Sequence, residues 1–193
     1  MIRITNPPRY GVIPAIVLGL LLILAPWQEK WISLFWFSHS HLEEVWRFLT
    51  AHLIHWSWKH WALNVLAFCC FCSFYSHLYT AKHLLAVILY IVLLCDFFLV
   101  FFYKREFYLG LSALIYGLFI YSSIRFWNLA PLLNSLIFGV VTFKAIEPFF
   151  ILTLESNTDL PIATEMHLVS MFSAALLGNY QYFKEFYTKN KKR

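Results

Sequence analysis

A serine that could act as a nucleophile stands at the start of one apolar segment, in the run YLGLSALIYG at residues 108–117. Gly110 permits a sharp backbone turn just before it. Ser112 then lies near a predicted helix N-terminus, where free backbone N–H groups and the positive end of the helix dipole favour a developing negative charge. Tyr116 follows one helical turn later on the same face. These residues predict nucleophilic attack by the Ser112 hydroxyl. The structural alternative is that this serine caps its helix or bonds a neighbouring helix.

A histidine in the last apolar segment is the candidate base for this serine. His167 is followed by small residues at intervals of three and four: Ser170, Ala174 and Gly178. Such a stripe lets a neighbouring helix approach closely. We expect it to bring His167 and Ser112 to similar depth, so that the imidazole takes the hydroxyl proton and Tyr116 stacks on the ring. Because no acidic residue is obviously placed to complete a triad, a Ser–His dyad is predicted. The alternative is a histidine that bonds a nearby carbonyl.

Acyl transfer also needs hydrogen-bond donors for an oxyanion. His60 and Asn64 are four residues apart and therefore share one face of a helix. Together with the backbone N–H groups of Leu111 and Ser112 they could form such a site. The alternative is that both side chains bond loop backbone and only hold the preceding loop in place.

The composition indicates a membrane protein. Of 193 residues, 61% are hydrophobic and 13% are charged, whereas soluble domains are about 45–50% apolar and about 25% charged. We therefore predict one polytopic membrane domain over residues 1–193. The net charge of +5 does not indicate nucleic-acid binding, because the basic residues cluster at segment ends and in the C-terminal tail.

Six apolar segments are each predicted to form a membrane-spanning helix, which needs about 17–25 residues. Residues 27–59 lie between the first two and are rich in tryptophan, which prefers the membrane–water interface, so an interfacial loop with short helices is expected there. The segment of Ser112 is short, which is consistent with a helix that begins below the membrane surface. The predicted helices are 11–26, 60–78, 83–102, 111–127, 132–154 and 163–183.

The distribution of lysine and arginine predicts the orientation. With the N-terminus in the cytoplasm, nine of the 15 basic residues lie on the cytoplasmic side and five lie opposite, with Lys144 inside the fifth segment. Both termini are then cytoplasmic, and Ser112 begins its helix at the outer side.

The run WRFLTAHLIHWSWKHWALN at residues 46–64 resembles the Trp-Arg loop and second helix of the rhomboid intramembrane serine proteases. The Gly-x-Ser turn, the tyrosine four residues later and the histidine heading a small-residue stripe follow in the family's order, so the resemblance covers residues 46–178. It implies that Ser112 is the nucleophile, His167 the general base, and His60 and Asn64 the oxyanion donors. Trp46 and Arg47 would stabilise the interfacial loop.

The same resemblance implies an all-α fold, a six-transmembrane-helix rhomboid-like bundle with an interfacial L1 loop. The implied activity is a serine endopeptidase that cleaves transmembrane segments of protein substrates near their outer end, within membrane lipids. We expect no cofactor and no nucleic-acid partner.

Two polar pairs are similar to those of one subfamily, the rhombosortases. These are Lys144 with Glu147 in the fifth segment, and Glu165 with His167 at the start of the sixth. Rhombosortases are bacterial enzymes thought to process secreted proteins that carry a C-terminal tail with a Gly-Gly-type motif, an apolar helix and a basic end. The resemblance therefore implies the bacterial inner (cytoplasmic) membrane. A buried Lys144–Glu147 ion pair is the simpler interpretation of the first pair.

Some residues depart from the family pattern. Alanine or serine replaces a usual glycine at Ala113, Ser170 and Ala174. An added methyl or hydroxyl should slightly loosen the packing of the fourth helix on the sixth. Asp96 in the third segment could bond a loop and is given no catalytic role.

Two other functions compete with proteolysis. A non-catalytic rhomboid-like protein could bind membrane clients, although it would not need Ser112, His167, His60 and Asn64 together. A metal or haem protein could use a group of histidines, but two of them are predicted in a loop, and zinc needs a complete ligand set with outer support. The histidines considered for that site are His39, His41, His52, His55 and His60.

Overall fold

The computed structural model describes residues 11–25, 32–33, 35–103, 107–151 and 164–191. Its backbone divides into two compact units, Met1–Ile115 and Tyr116–Arg193. One helix, Ser112–Arg125, begins in the first unit and continues into the second. The single domain over residues 1–193 stays a prediction.

The described part of the first unit includes four α-helices with defined bounds and two short strands. Helix α1 contacts both α3 and α4. Fully buried apolar side chains from these three helices, including Leu21, Phe68 and Ile91, form the core of this unit. The elements are α1 (Val12–Leu24), β1 (Phe37–Ser38), α2 (Arg47–Thr50), α3 (Trp58–Tyr75), α4 (Ala81–Phe101) and β2 (Phe107–Tyr108).

Helices α3 and α4 both begin two residues earlier than their apolar runs predict. The hydroxyl of Ser57 accepts a hydrogen bond from the His60 N–H at 3.2 Å, and Thr80 does the same for His83 at 3.2 Å. Both caps have extended backbone, as an N-cap residue requires. The polar caps, and not the hydrophobic pattern, therefore set where these helices start.

Strands β1 and β2 join the predicted interfacial loop to the segment that precedes Ser112. They pair antiparallel, with Phe37 opposite Tyr108 and Ser38 opposite Phe107. Two tryptophans of the loop stack on the Phe107 ring, Trp36 at 4.8 Å and Trp56 at 5.6 Å between centroids. The sequence analysis did not predict this pairing, because two-residue strands leave no alternation to recognise.

The second unit contains three long helices in its described part. Helix α6 contacts α7, and α7 runs seven residues beyond the predicted end at residue 183. Its additional turns are polar, with Lys184, Glu185 and Lys189, residues that form helices well without apolar neighbours. The predicted end of the fifth helix at residue 154 lies outside the described residues. The helices are α5 (Ser112–Arg125), α6 (Pro131–Ile151) and α7 (Thr164–Asn190).

Two helices of the described residues are long and apolar enough to cross a membrane, Trp58–Leu78 and Ala81–Phe101. Helix α1 is apolar but shorter. The all-α fold expected from the sequence is confirmed, whereas six membrane spans and the interfacial position of the loop stay predictions.

Candidate active site

Ser112 is the first residue of α5 and follows a turn in which Gly110 has a positive φ. Gly110 has a φ of +115°, a conformation that costs an L-residue with a side chain about 1–2 kcal/mol. A Cβ atom at Gly110 would also lie 2.8 Å from His60 Cε1, which is closer than van der Waals contact permits. A side chain at position 110 would therefore strain the backbone and also force the His60 ring to move, so this turn requires glycine for both reasons.

His60 lies against this turn, as the sequence analysis predicts. The position that a Gly110 Cβ would occupy is 3.3 Å from His60 Nε2 and 3.9 Å from Ser112 Oγ. Asn64 is buried one turn further along α3, where its Nδ2 donates to the His60 carbonyl at 2.9 Å. A primary amide has two N–H donors, so this bond uses one of them.

His55 is a residue of this site that the sequence analysis considered only as a metal ligand. Its Nε2 accepts a hydrogen bond from the Leu111 N–H at 3.5 Å, and its ring meets that of His60 edge-on at 5.0 Å. Burial, and next the nearby His60, lower the pKa of His55 from 6.5 to about 3. The ring is therefore neutral at physiological pH and can accept. The Leu111 N–H, a predicted oxyanion donor, already has a partner in this structure.

In the second unit, His167 is buried near the start of α7. Its imidazole stacks on the Tyr116 ring, with 4.4 Å between centroids and 23° between planes. The stacking expected from the sequence is present, and it fixes the orientation of the imidazole. The Ser170 hydroxyl donates to the His167 carbonyl at 2.8 Å.

The small-residue stripe of α7 packs against α5. Ser170 and Ala174 are fully buried, and a Cβ at Gly178 would lie 3.3 Å from both the Tyr121 carbonyl oxygen and Ile124 Cβ. Polar pairs continue the contact toward the helix ends, where Tyr121 donates to Gln181 and Arg125 pairs with Glu185.

Arg47 holds the loop together from inside, whereas Trp46 is half exposed. The buried guanidinium of Arg47 donates to the carbonyls of Ser33 at 2.7 Å and Trp36 at 3.0 Å, and to the Glu44 carboxylate at 2.8 Å. The loop role expected of Arg47 thus has a direct geometric basis.

Asp96, which the sequence analysis left unassigned, bonds the loop. Its Oδ1 lies 3.1 Å from His52 Nε2, and both side chains are buried. On the other side of the ring, His52 Nδ1 lies 3.4 Å from the Tyr108 hydroxyl, which donates to the Gly110 carbonyl at 3.1 Å. The sequence analysis expected that Asp96 could bond a loop, and it does. Its partner could not be named from a local pattern, because His52 is 44 positions away.

Lys144 and Glu147 form an ion pair along α6, with 2.7 Å between Nζ and Oε2. The expectation that this pair is buried is wrong, because the Lys144 side chain is 56% and that of Glu147 31% exposed. Helix spacing brings the two together, but residue spacing alone does not say which way the face of the helix points.

The predicted alternative of a histidine metal site has little geometric basis. His52 and His55 direct nitrogens at Asp96 and the Leu111 N–H. Among the described residues, one group could direct three ligand atoms at one point, namely His41, Glu43 and Glu44. Glu44 in that group already bonds Arg47.

The family model described as Rhomboid domain matches residues 42–182, well over half of the chain. The matched region includes every residue discussed above from Glu43 to Gln181. No curated protein matches the sequence significantly.

Proposed function

The chain belongs to the rhomboid family, and we propose that it is an intramembrane serine endopeptidase in which Ser112 and His167 form a catalytic dyad. Rhomboid proteases act on transmembrane proteins within the membrane, so the substrate is a membrane-anchored polypeptide. The substrate's helix must unwind locally for cleavage, which favours small residues such as glycine at the cleaved site.

The observation that carries the dyad is the stacking of His167 on Tyr116 at 4.4 Å. Tyr116 is one helical turn beyond Ser112 on α5, and residues four apart on a helix share a face. This spacing, together with the stacking of His167 on Tyr116, supports the proposed pairing of His167 with Ser112. The exposure of Ser112 is intermediate, which is compatible with access of a substrate carbonyl.

In the proposed mechanism, Ser112 Oγ attacks the scissile carbonyl carbon while His167 takes the hydroxyl proton. Collapse of the tetrahedral intermediate breaks the C–N bond, and His167 returns the proton to the leaving amine. Water then attacks the Ser112 ester while His167 takes a proton from it. Collapse of this second intermediate breaks the C–O bond to Ser112, His167 returns the proton to Ser112 Oγ, and the carboxyl product leaves.

His60, Asn64 and the Leu111 N–H are the proposed oxyanion donors. The ring of His60 borders the Gly110 turn, and Asn64 lies one turn away on the same helix. The Leu111 N–H donates to His55 at 3.5 Å, which is at the long limit for a hydrogen bond. Exchange of that weak bond for one to an oxyanion would therefore cost little.

The rhombosortase subfamily, the bacterial inner membrane and cytoplasmic termini belong to the same proposal. They are supported by the Lys144–Glu147 pair, by Glu165 close before His167, and by the excess of basic residues on the predicted cytoplasmic side. The proposed substrate ends in a Gly-Gly-type motif, an apolar helix and basic residues.

A fluorophosphonate probe tests the activity directly on the purified, detergent-solubilised protein. Labelling should occur in the wild type and be lost in Ser112→Ala and His167→Ala. Ser123→Ala, which removes a buried hydroxyl from the same helix, should label normally. A folded wild-type protein that neither labels nor cleaves would favour the non-catalytic, client-binding function.

The substrate class needs a separate comparison. Two reporters share the same apolar helix, and only one carries the Gly-Gly motif. In vesicles, the wild type should cut the reporter with the motif faster than the one without it. Equal cleavage of both would reject the rhombosortase assignment and leave the protease proposal intact.

A further inference from the structure

A buried aspartate near the end of α4, Asp96, contacts a histidine of the loop, His52. Asp96 Oδ1 and His52 Nε2 are 3.1 Å apart, and the side chains are 11% and 2% exposed. A charged group inside an apolar helix is costly unless it is paired. The proposed dyad and oxyanion donors use neither residue, so the pair needs another explanation.

A tyrosine connects this pair to the turn that precedes Ser112. The Tyr108 hydroxyl lies 3.4 Å from His52 Nδ1 and donates to the Gly110 carbonyl at 3.1 Å. Burial raises the pKa of Tyr108 well above its ordinary value, with Cys95, Asp96 and Tyr103 nearby as further causes. The phenol therefore keeps the proton that it donates.

Both backbone polar groups of Gly110, its carbonyl and its N–H, are hydrogen-bonded to residues around this His52–Tyr108 contact. Its carbonyl accepts from Tyr108, and its N–H donates to the carbonyl of Ala51, the neighbour of His52, at 2.8 Å. Glycine is free to adopt many backbone conformations, so Gly110 cannot specify its own φ of +115°. The surrounding hydrogen bonds must select it.

His52 connects Asp96 to Tyr108. Its Nε2 lies 3.1 Å from Asp96 Oδ1, and its Nδ1 lies 3.4 Å from the Tyr108 hydroxyl. Because a carboxylate bonded to one ring nitrogen fixes the orientation of an imidazole, Asp96 holds the His52 ring in the position that contacts Tyr108.

We propose that Asp96 and His52 are positioning residues that act through Tyr108 to hold the Gly110 turn, and with it Ser112, in the reactive geometry. This inference rests on the proposed function of Ser112 as the nucleophile. The order of action is Asp96, His52, Tyr108 and then the turn. Loss of any member should affect the placement of Ser112 and leave substrate binding unchanged.

A double-mutant comparison tests the order of action. Tyr108→Phe and Asp96→Asn each change few atoms, and each should lower kcat about tenfold with KM within about twofold of the wild type, since a small misplacement of a nucleophile is costly. Because both variants break one chain of bonds, the double variant should be no slower than either single variant. Tyr75→Phe removes a hydroxyl from a buried tyrosine at the far end of α3 and should keep wild-type kcat.

An about hundredfold loss in the double variant would mean independent effects and would overturn the inference. So would single variants with wild-type kcat, or losses that appear in KM alone.

Hydrogen–deuterium exchange provides a test that needs no catalysis. In a Ser112→Ala background, the peptide covering residues 107–113 should exchange faster in Tyr108→Phe and Asp96→Asn than in Tyr75→Phe. Unchanged exchange in the first two would overturn the inference whatever the activity. Faster exchange in these variants, combined with no cleavage by the protein that retains Ser112, would reject the protease proposal and leave the inference about the Gly110 turn in place.

Discussion

The two units hold their candidate catalytic residues by different means. In the unit that contains the Ser112 turn, irregular backbone is held by buried polar side chains. Arg47 binds carbonyls of the loop, His52 contacts Asp96, and His55 accepts from the Leu111 N–H. Around His167 the backbone is helical, and the stripe of small residues on α7 packs on α5. One region is fixed by directed hydrogen bonds and the other by close contact of helices.

This difference follows from the needs of the backbone. A helix satisfies its own N–H and C=O groups, so helices can pack through small apolar surfaces alone. A turn or loop does not, and its buried polar groups need partners from elsewhere. A nucleophile on a turn therefore requires a polar environment, whereas a base on a helix does not.

The two glycines that matter most should differ strongly on substitution. Gly110→Ala adds a Cβ at a φ of +115° and 2.8 Å from His60, so activity should fall at least about a hundredfold. Gly178→Ala meets neighbours at 3.3 Å and should change kcat less than about threefold. Cleavage of a reporter in vesicles measures both, and similar losses would break the comparison.

The two arginines should differ in what they contribute to stability. Arg47→Ala leaves the Ser33 and Trp36 carbonyls and the Glu44 carboxylate without this donor, and should cost about 3 kcal/mol. Arg125→Ala breaks a pair whose Glu185 is 45% exposed, and should cost less than about 1 kcal/mol. Denaturation in mixed micelles measures the free energy of unfolding. An equal cost would mean that the loop does not depend on Arg47.

A larger side chain in the small-residue stripe tests the helix contact in the second unit. Gly178→Leu should destabilise by about 2 kcal/mol, since overpacking forces neighbours to move. Gly139→Leu is the matched control, because a Cβ there meets nothing within 4 Å and leucine favours helix over glycine. Equal melting temperatures for the two variants would argue against close packing at Gly178.

Acid should weaken the first unit through His55. Above pH 6.5 this ring is neutral in the folded and unfolded chains, and below it only the unfolded chain binds the proton until about pH 3. Stability should therefore fall as the pH decreases through that window, by at most about 1.4 kcal/mol per pH unit from this residue.

His55→Gln should remove this part of the pH dependence, and the exposed His77→Gln should not. The free energy of unfolding, measured at several pH values between 7 and about 4, gives the two slopes. Parallel curves for wild type and His55→Gln would show that His55 does not oppose protonation in the folded protein.

Local sequence patterns predicted the long helices and one ring contact at the candidate site. Apolar runs marked the helices, and the spacing of Ser112, Tyr116 and the small-residue stripe correctly predicted the stacking of Tyr116 on His167. The helix starts were less accurate, since Ser57 and Thr80 set them through single hydrogen bonds.

Long-range contacts could not be predicted in the same way. The pairs His52–Asp96 and His55–Leu111 join residues 44 and 56 positions apart. No periodicity connects them, because each depends on how a loop folds over a helix. The exposure of the Lys144–Glu147 pair was missed for a similar reason, since a helix face can point toward protein or away from it.

The pairing of β1 with β2 has a consequence for how the protein is made. Phe37 meets Tyr108, about 70 residues later in the chain, and a ribosome adds about 5–20 residues per second. The loop therefore waits roughly 4–14 s for its partner strand to be synthesised. During that interval the buried histidines of the loop lack their later partners, because Asp96 follows His52 by 44 residues and Leu111 follows His55 by 56. This loop is therefore the segment for which a chaperone would matter most.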